Sequence, residues 1–523
     1  MRIFFILLIS VLFTKGLLAQ NVNISNGAAF EGEPFIAINP NDSQHLVVAW
    51  MGFKLGQEII IKTRTTFDGG QTWSATNEFT HLQSGYGSAD PSLKIDNSGN
   101  AYLCYIDYDN DNFTGGQVLV SKSNDGGLNW GNPVTAVNTT DCPDKLCIDR
   151  PWMVIDNSGS ALDGTIYVTS MNANQPTIVD PPYNPYLAVS TDGGNTFDTP
   201  RFLDTMGYYS GDQITQPMPT PTIGADGTFY AIYPSYETSQ SVFAQYIMAQ
   251  SDDAGISLDH NVTHQASSGL SSPLAKKAPL LISNPNDASQ LGYLFLKEDN
   301  GDLDIYFSES LDFGINWSTA IRVNDDVVGN GIMQDLVWGE FNEQGDVVVC
   351  WRDRRNGGAG YDVPTEIMGA TRFSDSTNFS SNFTITDQLV NHEAVLEGSG
   401  NDFMSVEYSG DTIHVVWGDT RSGVLNIYYN KMSVVDQTSN IQSIAKSDWN
   451  FLNLFPNPAE EFITLDENLI GYDFNIIDEQ GRVIETGKLS EKSKIVISEL
   501  ERGTFIIYLS NSESIATFKF VKE

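Results

Sequence analysis

Basic residues are scarce in this chain of 523 residues: 28 Lys and Arg stand against 66 Asp and Glu, a formal charge of −38. So acidic a surface repels phosphate backbones and anionic headgroups, and no local basic cluster relieves it, which argues against nucleic acid and membrane surfaces as partners. Cysteine is nearly absent, with four residues, which excludes a disulfide scaffold. After the first twenty residues no apolar run approaches the roughly 20 residues of a membrane-spanning helix, so no transmembrane segment is expected. What is present is 41% hydrophobic and 11% aromatic residues. That is enough to bury a large core, and it excludes disorder.

Residues 1–19 read as a signal peptide. Arg2 precedes an apolar stretch from Ile3 to Ile9 that continues through Val11, Leu12 and Phe13, with cleavage expected after Ala19. In an oxidising compartment Cys142 and Cys147, four residues apart in CPDKLCIDRPW, become candidates for a disulfide. Cys104 and Cys350 sit in strand-like runs and read as small buried hydrophobes, which disfavours a four-cysteine zinc site.

A repeat organises the interior. TFDGGQTW, SNDGGLNW, STDGGNTF, the degraded SDDAGISL and SLDFGINW begin at Thr66, Ser123, Ser190, Ser251 and Ser310, giving spacings of 57, 67, 61 and 59. Such a period fits one four-stranded sheet with its loops. Seven strand-like runs, from HLVVAW to IHVVW, recur in phase with these turns. Each follows an apolar stretch opened by a polar residue and often by proline, as in EPFIAI, DPSLKI and RPWMVI. Four-stranded units repeated radially hide their edges as a β-propeller. The expectation is therefore all-β: seven blades over residues 20–432, with six as the alternative count and a strand near Val22 to Asn26 closing the ring.

The S/T-x-D-x-G-x-T-W/F pattern resembles the Asp-box, or BNR repeat, of sialidases and related propellers. The resemblance implies that Asp68, Asp125, Asp192 and Asp312 are structural residues on the outer rim, with a weak calcium or glycan contact as the alternative role. Function is then expected at the central channel, where first strands begin and loops after second strands converge. The first strands would bring Glu33, Asp90, Asp149, Arg150, Gln216, Gln334, Asp335, Asn401 and Asp402 there. The loops add Asp107 and the related WRDRR and WGDTR sequences, which carry Arg352, Asp353, Arg354, Arg355, Asp419 and Arg421. Guanidinium forks bind carboxylate or sulfate bidentately, so Arg150, Arg352, Arg354 and Arg421 become candidate substrate ligands beside Asp90, Asp149, Asp353 and Asp419. The competing reading is that each Arg pairs with a nearby Asp to tie blades together. Sialidases hold a substrate carboxylate with three arginines and use a Tyr nucleophile. No Tyr or Glu aligns with that machinery here, although Tyr361 and Glu366 are candidates. A lyase on the same fold would need a base such as His392. No cofactor or metal ligand set is assigned.

After a linker at 433–450, residues 451–523 form a short-stranded module. Its Leu454, Pro456, Asn457, Pro458, Gly481, Arg482, Gly503, Phe505, Tyr508, Lys519 and Phe520 resemble the C-terminal sorting domain of type IX secretion, a small β-sandwich. The resemblance implies Sec export followed by passage across the outer membrane, with the secretion machinery as partner and a secreted or cell-surface destination. The body is then expected to act on or bind extracellular glycan as a sialidase-like glycoside hydrolase. A non-catalytic adhesion propeller and a polysaccharide lyase are the alternatives.

Overall fold

The computed structural model describes residues 21–111, 114–142, 146–172, 184–204, 218–235, 245–265, 279–392, 401–435, 454–465, 469–477, 482–490, 493–510 and 515–523. The residues expected to form a signal peptide, most of those expected to form the linker, and Gln216 lie outside them. The chain divides into two compact units, Met1–Val434 and Val435–Glu523.

The first unit contains seven four-stranded antiparallel sheets. Blade 1 comprises Glu31–Asn39, Asp42–Lys54, Glu58–Thr66 and Asn77–Glu78, and blade 2 Tyr86–Ile95, Ala101–Asp109, Gly116–Ser123 and Val134–Asn138. Blade 3 comprises Asp149–Ile155, Ile166–Met171, Pro185–Ser190 and Arg201–Phe202, and blade 4 Thr220–Ile223, Phe229–Ser235, Gln245–Ser251 and Asp259–Gln265. Blade 5 comprises Leu280–Ser283, Leu291–Lys297, Asp304–Ser310 and Ile321–Arg322, and blade 6 Gln334–Phe341, Val347–Asp353, Glu366–Arg372 and Phe383–Thr384. In blade 7, Ser405–Ser409, Thr412–Asp419 and Asn426–Ser433 are completed by Val22–Asn23, which pairs with Tyr429 and Tyr428. First strands pack against first strands from blade to blade, and blade 7 returns to blade 1, so the ring is closed. This is a seven-bladed β-propeller.

The recurring turn locks neighbouring blades. In all five copies the Ser or Thr hydroxyl donates to the Asp and accepts the N–H of the residue four further on, always a glycine. The Asp also accepts the N–H and the side chain of the residue four beyond itself. Hydrogen bonds from Thr72, then from Thr66, hold the Asp68 carboxyl down at about 2. The glycine allows close approach of the preceding blade. Gly70 has φ +87°, and a Cβ there would stand 2.3 Å from Tyr429 Oη in blade 7. Gly127 has φ +91°, and its Cβ would stand 2.6 Å from Thr65 Oγ1 in blade 1. The aromatic that ends the motif crosses the same seams: Trp130 Nε1 donates to Thr63 Oγ1 at 3.2 Å, and Trp73 packs edge-on against Tyr429 at 5.3 Å.

Cys104 and Cys350 are buried in second strands, where desolvation pushes their thiols well up. Cys142 and Cys147 are joined by a disulfide. The second unit pairs Phe462–Thr464 with Lys494–Val496 and sets a four-stranded sheet (Val483–Lys488, Asp473–Ile477, Gly503–Ser510, Ile515–Lys522) around a core that includes Ile463, Ile476, Ile495, Ile507 and Phe520.

Candidate functional site

Four first strands start with the same irregularity. Their register with the second strand slips at Gly32/Phe35, Ala89/Ser92, Asp149/Trp152 and Asp335/Trp338. Inside each slip one non-glycine residue is left-handed: Glu33 (φ 52°), Asp90 (51°), Arg150 (49°) and Leu336 (54°). Such a backbone costs about 1–2 kcal/mol per residue. In blades 1 to 3 proline follows at once, and the left-handed residue is charged. The three are linked across blades, because the Arg150 N–H donates to Asp90 Oδ2 and the Asp90 N–H donates to Glu33 Oε2, each at 3.3 Å.

These bulges border a cavity of about 560 Å³. Glu33, Asp90, Asp149, Arg150 and Asp402 supply its polar wall, and Phe30, Met51, Ile59, Ile106, Tyr108 and Ile148 its apolar one. Leu146, inside the disulfide-closed segment before blade 3, and Ile148, just after it, belong to this wall. Arg150 Nη1 lies 2.8 Å from Asp402 Oδ2. Burial works against its charge, but Asp402, then Asp149, Asp90 and Glu33, more than compensate and hold the guanidinium above its ordinary range. Burial, then Asp90, Glu33, Asp149 and Glu58, pushes the Tyr108 hydroxyl up to about 12. Behind the bulges the channel is filled by Phe35, Trp152, Trp338 and Phe403. Trp152 and Trp338 stack at 4.9 Å, and Phe35 and Phe403 pack against Trp152 at 5.5 and 5.6 Å.

The structure thus brings Asp90, Asp149 and Arg150 together, with Glu33 and Asp402. The other candidate arginines do not line this cavity. Arg352 holds Asp335 bidentately, Nε and Nη2 each at 2.7 Å, and Arg354 reaches the same carboxylate at 3.1 Å. Arg354 is 1% exposed and lies over the Tyr361 ring at 5.0 Å. Asp353 accepts from Trp351 Nε1 at 2.7 Å and from Arg355, which continues to Asp325 and Asn382 between blades 5 and 6. Asp419 accepts from Trp417 Nε1 at 3.0 Å and from Arg421, whose other contacts are Asp387 and the Tyr428 ring. The WRDRR and WGDTR sequences are therefore one device: an indole and an Arg four residues later share the Asp between them. Glu366 is bonded to Asn356, and His392 lies 3.4 Å from Asp362; neither lines the cavity. Among the described residues no group of three or more His, Cys, Asp or Glu side chains is placed to hold a metal ion.

Two groupings are not evident from sequence. At the other end of the channel, Lys94, Glu340 and Glu407 line a second pocket of about 290 Å³. The available signal was a charged residue inside an otherwise apolar first strand. Burial, opposed by Lys94 and reinforced by Glu340, pushes Glu407 up to about 8. Between blades 1 and 2, His81 Nδ1 faces Asp107 at 2.7 Å and Nε2 faces the Gln57 carbonyl at 2.9 Å. Two acceptors require the doubly protonated ring. Burial opposes that charge, but Asp107 and Gln57 prevail and hold the imidazole above its usual range.

A family model described as a secretion system C-terminal sorting domain matches residues 453–523. The protein therefore carries a type IX sorting tail and is directed to the cell surface or released. Similar solved structures include a protein of unknown function from Dyadobacter fermentans (TM-score 0.40, 12% identity, 79% of this chain and 98% of that one). Two others are the GH93 alpha-L-arabinofuranosidase of Fusarium graminearum (0.43, 10%, 80% and 98%) and the NanB sialidase from Streptococcus pneumoniae (0.40, 13%, 80% and 70%). No curated protein matches the chain. Among the described residues no helix is long and apolar enough to cross a membrane.

Proposed function

We propose that this exported propeller acts on extracellular glycan as a glycoside hydrolase, in the cavity bounded by Glu33, Asp90, Asp149, Arg150, Asp402 and Tyr108. The observation that carries the reading is the bulge repeated in three adjacent blades. Each bears the cost of a left-handed charged residue at the cavity rather than presenting the small residue the backbone prefers. Mixed carboxylate, guanidinium and aromatic walls are what a sugar ring needs, since its hydroxyls take polar partners and its carbon face takes an aromatic one. Glycoside hydrolysis needs two carboxylates across the scissile bond, and this wall offers four.

One observation favours a binding module as the second reading. Glu33 and Asp90 are already acceptors of backbone N–H groups, and Asp402 is already paired with Arg150. The same experiment separates the two. The mature chain is incubated with a panel of extracellular glycans, products are followed by mass spectrometry, and binding is measured alongside. Turnover abolished in Asp149→Asn and Tyr108→Phe supports the hydrolase. Saturable binding without product, weakened by the same substitutions, supports the binding module. Turnover or binding that both variants leave unchanged refutes this cavity as the site.

A further inference from the structure

We infer that His81 is a positioning residue and a pH-sensitive latch for the saccharide cavity: its doubly protonated ring ties blade 1 to blade 2 beside the apolar wall, and loss of one proton releases the tie and weakens binding. The inference rests on the glycan reading above and adds a regulation of the same site. His81 lies in the connection between the two blades and is held from both. Its Nδ1 is 2.7 Å from Asp107 Oδ1 in the second strand of blade 2, and its Nε2 is 2.9 Å from the carbonyl of Gln57, in the turn that joins the second and third strands of blade 1. Both anchors adjoin wall residues. Ile106 and Tyr108 flank Asp107, and Met51 and Ile59 belong to the two strands that the Gln57 turn joins. Ser88, two residues before Asp90, completes the network: its Oγ donates to Asp107 Oδ1 at 3.0 Å and stands 3.1 Å from Nδ1.

A neutral imidazole carries one N–H and one lone pair, so it satisfies only one of two acceptors. The bond to the Asp107 carboxylate is charge-assisted and is the one retained. Asp107 itself is fixed, since it also accepts the Leu82 N–H at 2.9 Å. On deprotonation Nε2 therefore turns a lone pair toward the Gln57 carbonyl at 2.9 Å, and the turn must move away. The charged groups that face the ring are Asp107 from blade 2 and Glu58 from blade 1, and both favour the cation against burial. Asn110 Nδ2 still donates to Glu58 Oε2 at 2.8 Å, so the turn is loosened rather than freed. A saccharide packing on Met51 and Ile59 must then order a wall that was already ordered at lower pH, which weakens it. By reciprocity, bound saccharide favours the protonated ring.

The test is calorimetric binding of the full chain, as wild type and as His81→Gln, to a panel of uncharged and sialylated oligosaccharides whose own charge is constant from about pH 6 to about pH 9. Wild-type affinity is expected to fall by about fivefold or more across that range, and His81→Gln to lose this part of the dependence. Glu407, pushed up to about 8, titrates in the same range but is untouched by the substitution, so the difference between the two profiles isolates the latch. Asp107→Asn, which should move the fall to lower pH, is the second variant should His81→Gln fail to fold. In parallel, NMR of the chain with ring-labelled histidine follows His81 directly, and saturating saccharide should raise the pH at which the ring is half protonated. Wild-type and His81→Gln profiles that coincide overturn the inference and leave the glycan reading standing, as does a ring half protonated at or below the ordinary value of about 6.5. Binding of no panel member at any pH, with His81 titrating as expected, overturns the glycan reading and the regulation with it.

Discussion

Asp335→Asn isolates what the arginine-rich strand ends of blade 6 do. The Asp335 carboxylate is 3% exposed and accepts three charge-assisted hydrogen bonds, at 2.7, 2.7 and 3.1 Å, from Arg352 and Arg354. Burial alone would raise its pKa, but the two guanidiniums win and hold it well below the carboxylate range. The Asn variant keeps one carbonyl acceptor, turns an NH2 group toward a guanidinium, and removes the counter-charge that the two buried guanidiniums share. Breaking a buried pair in this way costs about 3–5 kcal/mol. Unfolding by denaturant, followed by tryptophan fluorescence, reads mainly the propeller, because eight of the nine Trp lie within residues 20–432 and the ninth, Trp449, follows it. The midpoint should fall with little change in slope. A loss below about 1 kcal/mol, or unchanged stability with lost glycan binding, would refute the assignment of Arg352 and Arg354 as structural ties.

Other perturbations follow from the same geometry. Gly127→Ala forces a Cβ into a left-handed position 2.6 Å from Thr65 Oγ1 and 3.0 Å from Val47 Cγ2; the seam between blades 1 and 2 should weaken by about 1–3 kcal/mol, measured by thermal unfolding. The raised pKa of His81 contributes stability that is complete below its unfolded value and lost as pH rises through the folded one; His81→Gln should flatten that part of the stability profile. Glu407 is an acid with a raised pKa, so wild-type stability falls as pH rises from the ordinary carboxylate range to about 8, and Glu407→Gln should be the more stable protein at pH 8 with no advantage near pH 4. Opening the Cys142–Cys147 loop as Cys142→Ser should cost about 2 kcal/mol and weaken saccharide binding, because Leu146 within the loop and Ile148 just after it belong to the cavity wall; calorimetry reads both.

What was legible in sequence was what is local in the chain. The hydrogen-bond network of the recurring turn spans seven residues, from Thr66 to Thr72 in the first copy, so its spacing alone reveals the turn. Its period then gives the blade count, and the last unit, short of one strand, points to the N-terminal strand that completes it. The polar residue before proline in EPFIAI, DPSLKI and RPWMVI marked the mouth of the channel. Its left-handed backbone, and the linkage of Glu33, Asp90 and Arg150, appear only when blades 1 to 3 are side by side. The arginines show the limit most clearly. WRDRR and WGDTR display guanidiniums beside carboxylates, but whether a fork faces substrate or protein depends on partners such as Asp335 and Asp387, 17 and 34 residues away. Tyr108, at the end of a second strand, had nothing in its local sequence to distinguish it from Tyr105, which faces the core.

The central claim is that saccharide binds where blades 1, 2, 3 and 7 meet. A crystal structure of the protein soaked with the tightest-binding saccharide of the glycan panel tests it directly. The account predicts ordered sugar density between Tyr108 and Arg150, with hydroxyls on Asp90, Asp149 or Asp402. Sugar bound instead on the rim turns at Asp68, Asp125, Asp192 or Asp312, or against Arg355 and Arg421, would contradict it.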